Sequence, residues 1–172
     1  MDEKHTSLSS SESDLHYREI QQGDNKELAE VIRIVLREHG VARPGTVYTD
    51  PTTDALFELF QLETACYFVV TEGDKIIGGC GIYPTEGLPA GCAELVKLYL
   101  LKEYRNLGIG KRLIEQSIEF ARKHYDCLYL ETMDELAGAI ELYKRLGFQF
   151  IDQRLGASGH FSCPIWMLKS LS

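Results

Sequence analysis

Arg105-Asn106-Leu107-Gly108-Ile109-Gly110-Lys111 stands between an apolar run, residues 92–101, and a segment in which Ile109, Leu113, Ile114, Ile118 and Ala121 recur at helical spacing. A glycine-rich turn between a buried strand and an amphipathic helix leaves backbone N–H groups free at the positive end of the helix. Glycine also lets a ligand approach the main chain closely, so the chemistry of the turn points to a phosphate. Two familiar phosphate loops are excluded by position. A Walker loop needs glycine where Arg105 stands and Ser or Thr where Arg112 stands, and the dinucleotide fingerprint needs glycine at Leu113.

Working outward, the segment from Asp126 to Thr132 reads as the next strand. Residues 134–146 read as a helix stopped by Gly147, and 148–151 and 162–168 as closing strands joined by a loop that carries His160. Upstream, 65–71 and 76–83 form a hairpin about Glu72-Gly73-Asp74-Lys75. A helix capped by Asp24 carries Leu28, Val31, Ile32, Val35 and Leu36 on one face, and 54–62 has helical spacing after a long loop from Val41. Residues 16–20 form a first strand, and the serine-rich, acidic residues 1–15 read as a tail before a single domain spanning 16–172. The order β-α-α-β-β-β-α-β-α-β-β specifies an α/β (α+β) sheet whose central strands are buried.

The 172 residues suit one domain. The 18 basic against 26 acidic side chains leave a net charge of -8, the wrong sign for gathering nucleic acid. Five scattered cysteines without a C-x-x-C pair read as reduced thiols and argue against a metal site, with Cys92 and Cys163 as small buried hydrophobes. With no long apolar segment and no apolar leader, a cytoplasmic protein that does not engage a membrane is expected.

The R-x-x-G-x-G turn, the Ala93-Glu94 pair on the strand before it and Leu142-Tyr143-Lys144-Arg145-Leu146-Gly147-Phe148 after it, in that order, resemble the GNAT superfamily of N-acetyltransferases. The resemblance implies an acyl-CoA N-acyltransferase fold, a mixed sheet of about six or seven strands flanked by about four helices, with the central strand splayed from its neighbour. It implies acetyl-CoA as cosubstrate, its pantetheine along the backbone of Leu98, Tyr99 and Leu100. The diphosphate falls on the turn formed by Arg105, Asn106, Leu107, Gly108, Ile109, Gly110 and Lys111. One position departs from the pattern: Leu136 stands where many members carry an asparagine that reaches the pantetheine.

Amide formation needs a base for the amine, whose pKa is roughly 10, and a donor for the departing thiolate. Glu94, at the entrance of a buried strand, is the candidate base because desolvation raises a carboxyl pKa. By resemblance Tyr143 is the acid. Lys97 reads as a snorkelling surface residue and His160 as an ordinary loop residue, whereas Tyr48, in the loop of residues 43–50, is a candidate for the acceptor wall. The expected function is acetyl transfer to a small primary amine in a ternary complex, with a homodimer left open. The alternatives are a non-catalytic acyl-CoA-binding module and acetylation of a protein amine.

Overall fold

The computed structural model describes residues 14–172, so all but the end of the proposed tail lies outside the described residues. Strand β1 (Leu15–Glu19) begins one residue inside it. There follow α1 (Asn25–Glu38), α2 (Leu56–Leu59), β2 (Cys66–Glu72), β3 (Lys75–Tyr83), β4 (Cys92–Leu100), α3 (Ile109–Ala121), β5 (Cys127–Thr132), α4 (Ala137–Arg145), β6 (Gln149–Ile151) and β7 (Ile165–Ser170). The seven strands form one sheet in the order β1-β2-β3-β4-β5-β7-β6, as the expected fold class requires. All neighbours are antiparallel except β4 and β5.

The apolar stripes account for the layers. Leu28, Val31, Ile32, Val35 and Leu36 of α1 are buried, as are Ile109, Leu113, Ile114, Ile118 and Ala121 of α3. Both helices pack on β3 and β4, and β3 is buried from Ile76 to Ile82, which explains a strand with few polar positions. Each fully buried aliphatic side chain contributes roughly 1.5–3 kcal/mol by leaving water. Among the described residues no helix is long and apolar enough to cross a membrane.

Three local expectations are corrected. Asp24 does not cap α1: its carboxylate accepts from the Gln21 amide at 2.7 Å and from both terminal nitrogens of Arg18, at 2.7 and 3.0 Å. The segment 54–62 yields only the short α2, because Asp50 caps a 3-10 turn over Pro51–Asp54 first. Residues 134–136 form a 3-10 turn before α4, which ends at Gly147 with φ +91° as expected.

The cysteines supply a fourth correction. Cys92 and Cys127 are register partners at the start of the parallel pair, Cα to Cα 4.7 Å, and form a disulfide, so Cys92 is a cross-link rather than a buried hydrophobe. Cys66, Cys80 and Cys163 are free and buried.

Candidate functional site

Pairing between β4 and β5 covers three residues, Cys92, Ala93 and Glu94 against Cys127, Leu128 and Tyr129. Beyond Glu94 the strands part, and the gap opens into a cavity of about 740 Å³ between β4, α1, α4 and the turn before α3. This is the splay that the resemblance implied.

The chain of β4 is not regular there. Val96 faces Gly81 and Tyr99 faces Gly79, so Lys97 and Leu98 together oppose one residue of β3, a bulge in which Lys97 adopts φ +52°. The buried Tyr67 hydroxyl pins it by donating to the Lys97 carbonyl at 2.7 Å. Gly79 and Gly81 make room for that ring, since a Cβ on either would lie within 2.6 Å of it. Lys97 is therefore buried rather than snorkelling, its side chain only 4% exposed.

At the inner end of the cavity Glu94 is buried and accepts from the Thr85 hydroxyl. Burial pushes its carboxyl up to about 7, with the Glu131 charge adding to the rise. Glu131 accepts from the Tyr129 hydroxyl at 2.7 Å and from Ser158, and Arg154 lies 3.3 Å away. His160 Nε2 contacts Asp50 Oδ2 at 3.0 Å, a contact spanning 110 positions that ties the two loops together. This bond, above all, holds the Asp50 carboxyl well below the usual carboxylate range. Glu94, Glu131 and His160 hold ligating atoms within 4.8 Å of one another, but the existing partners of Glu131 and Glu94 make the group a hydrogen-bonded acid network.

Tyr143, in the last turn of α4, packs edge-on against Phe148, their ring centroids 5.8 Å apart. It borders the cavity, and its hydroxyl has no hydrogen-bond partner among the described residues. Burial raises its phenol above the usual 10. Thr132, also on the cavity wall, carries a buried hydroxyl without a partner.

The turn itself bends through Asn106 at φ +62° and Gly108 at φ +82°. No side chain caps the start of α3, so its first amides remain open. Arg105 braces the turn from behind, donating through Nε to the Leu100 carbonyl at 2.9 Å and pairing with Glu38 at 2.8 Å.

The structure brings Glu94, Tyr143, Leu98, Tyr99, Leu100, Arg105, Asn106, Gly108, Gly110 and Lys111 to one cavity, with Leu136 on its wall. Leu107 instead points outward, 63% exposed, and Ile109 is buried in the core, which leaves both only their backbone to offer. Tyr48 turns away to Arg37, leaving Thr46 and Val47 to represent that loop, and Arg112 stacks on Tyr17. Sequence reasoning set Lys97 and His160 aside as surface residues and did not single out Asp50, Glu131 or Thr132, although all five stand at or beside the cavity. A lysine within an apolar strand was the one visible signal. Cys163 also borders the cavity, but burial pushes its thiol up to about 12, far from a nucleophilic thiolate.

The model of the acetyltransferase (GNAT) family matches residues 28–148, a stretch that contains the splayed strands, the open helix start and Tyr143. The chain belongs to this family. Among relatives of this GNAT protein, an Escherichia coli K12 protein named as the uncharacterized N-acetyltransferase YjgM is 39% identical over 150 residues, 86% of this chain and 90% of that one. N-acetyltransferase 8B of Rattus norvegicus is 30% identical over 105 residues, 59% of this chain but less than half, 45%, of that protein. A Staphylococcus aureus acetyltransferase of the GNAT family superposes with TM-score 0.79 at 20% identity, covering 92% of this chain and 99% of that one. An N-acetyltransferase from Thermoplasma acidophilum, solved in complex with coenzyme A, gives 0.70 at 19% identity over 91% and 98%. The GNAT fold of the chain is thus established by both sequence and shape.

Proposed function

We propose that this GNAT acetyltransferase moves the acetyl group of acetyl-CoA to the primary amine of a small molecule within a ternary complex. The observation that carries the reading is a juxtaposition. A carboxyl poised near neutrality, an unpartnered phenol and an uncapped helix start all open onto the one cavity where β4 leaves β5.

In this reading the diphosphate of acetyl-CoA lies on the amides of Gly108, Ile109, Gly110 and Lys111, with Asn106 and the backbone of Leu107 shaping the approach. Its pantetheine runs along the free edge of β4 at Leu98, Tyr99 and Leu100, and Arg105 fixes the turn. Leu136 offers the pantetheine no polar group, and the Thr132 hydroxyl is placed to supply one in its stead. Bound coenzyme A in the Thermoplasma relative supports the choice of cosubstrate.

The amine nitrogen attacks the acetyl carbonyl carbon, so a C–N bond forms and the C–S bond breaks. Glu94, half ionised near pH 7, takes the amine proton directly or through water. Tyr143 is a weaker acid than a thiol of pKa about 8.5 and therefore acts chiefly as a hydrogen-bond donor to the departing sulfur, charge stabilisation that grows toward the transition state. A non-catalytic acyl-CoA-binding role fits less well, because it gives no reason to bury a carboxylate here. Measuring free thiol release from acetyl-CoA against a panel of amines tests the proposal. Release with none of them, despite tight acetyl-CoA binding, refutes it.

A further inference from the structure

The Lys97 ammonium is the group that this chemistry leaves unexplained. Its side chain is 4% exposed, it borders the cavity, and Nζ has no hydrogen bond among the described residues. The neighbouring carboxylate, Asp50, is 3.8 Å away, at ion-pair distance but beyond hydrogen-bonding reach. Asp50 is already engaged: Oδ2 meets His160 at 3.0 Å, and Oδ1 accepts from the Thr52 amide at 2.9 Å and hydroxyl at 2.7 Å. Burial disfavours the charged form of Lys97, and the Asp50 and Glu94 carboxylates offset part of that cost. The bulge is what brings this about. In regular alternation Lys97 would lie on the face opposite Glu94, whereas φ +52° at Lys97, secured by Tyr67, leaves both side chains on the same cavity.

A base for the amine and an unfilled cation thus stand three positions apart on one strand. We infer that the acceptor is a zwitterionic α-amino acid, its carboxylate held by Lys97 while its amine is presented to Glu94. The two groups of such a molecule are separated by a single carbon, and Lys97 and Glu94 border the same cavity. Asp50, Glu94 and Glu131 around that cavity disfavour a dianionic phosphate and leave a monoanion as the fitting occupant. This inference rests on the proposed transfer to a small amine and narrows it.

The test compares kcat/KM for the common amino acids, their methyl esters and the amines lacking the carboxyl group, using thiol release from acetyl-CoA. At least one amino acid is expected to exceed its own ester and amine by at least about tenfold, equivalent to ~1.4 kcal/mol. In Lys97→Met, which keeps an unbranched apolar stem but loses the ammonium, that preference should collapse to within about twofold, mainly through a higher KM for the amino acid. Esters and amines used as well as the acids by the unaltered enzyme would overturn the inference and leave acetyl transfer standing. So would a Lys97→Met variant in which kcat falls equally for acid and ester, because the ammonium would then serve the thioester carbonyl. No turnover with any of the three sets would overturn the small-amine reading and this inference with it.

Discussion

Glu94→Gln removes one proton-accepting group while keeping an oxygen for the Thr85 hydroxyl. Glu94 is held near 7 instead of the usual 4.5, so at pH 6 only about one-tenth of it is ionised, whereas an ordinary carboxyl would be almost wholly so. The acceptor amine, with a pKa of roughly 10, adds its own proton to the balance. For the unaltered enzyme, log kcat/KM should therefore rise with a slope near two below pH 7 and near one above it. In Glu94→Gln the slope should be near one throughout and the rate at pH 7 about 10²- to 10⁴-fold lower, the usual worth of a general base. Stability checks the same group independently. A carboxyl with a raised pKa makes the folded state bind more protons between pH 4.5 and about 7, so stability falls as pH rises through that window. The full penalty, roughly 3 kcal/mol, is present above 7 and absent below 4.5. Glu94→Gln should thus melt several degrees higher than the unaltered protein at pH 8 and no higher at pH 4.5. A break near pH 7 that persists in the variant, measured under saturating acetyl-CoA, would refute the reasoning.

Tyr143→Phe keeps the ring against Phe148 and removes the unpartnered hydroxyl, so kcat should drop by roughly 10- to 1000-fold, while calorimetry shows little change in acetyl-CoA affinity. Full activity on the true acceptor would make Tyr143 a packing residue. At Gly110 a Cβ would lie 3.4 Å from Leu142, which is ordinary contact, but the branches of Gly110→Val reach over the first amides of α3. Acetyl-CoA binding should weaken at least about tenfold in a variant that still folds. Alkylation of the denatured, unreduced protein should label three of the five cysteines and, after reduction, all five, as counted by intact mass. Five labels without reductant would contradict the Cys92–Cys127 bond.

The strand-to-helix turn was legible because glycines and apolar spacing are local signals. Gly108 and Gly147 both take the left-handed conformation that their positions required, and the stripe on α3 is buried residue for residue. Glu94 and Tyr143 were also within reach, each standing on an element whose type the pattern specifies. What escaped depends on distant partners or on broken regularity. Nothing in residues 43–50 announces that Asp50 will meet His160 across 110 positions, and a parallel register cannot be counted from spacing, so Cys92 and Cys127 looked unrelated. The alternation along β4 hides the bulge that inverts Lys97, because the cause lies in Tyr67 on another strand.

The sheet is in effect two plates. β1 to β4 form one, β5, β7 and β6 the other, and they are riveted along a seam of three residue pairs and one disulfide at its closed end. A molecule laid along the open length of β4 would act as the missing rungs of that seam as well as a reactant. Its binding should then protect amides on both plates from hydrogen exchange, and the measured heat resistance of the protein should depend on how much of that molecule accompanies it through purification.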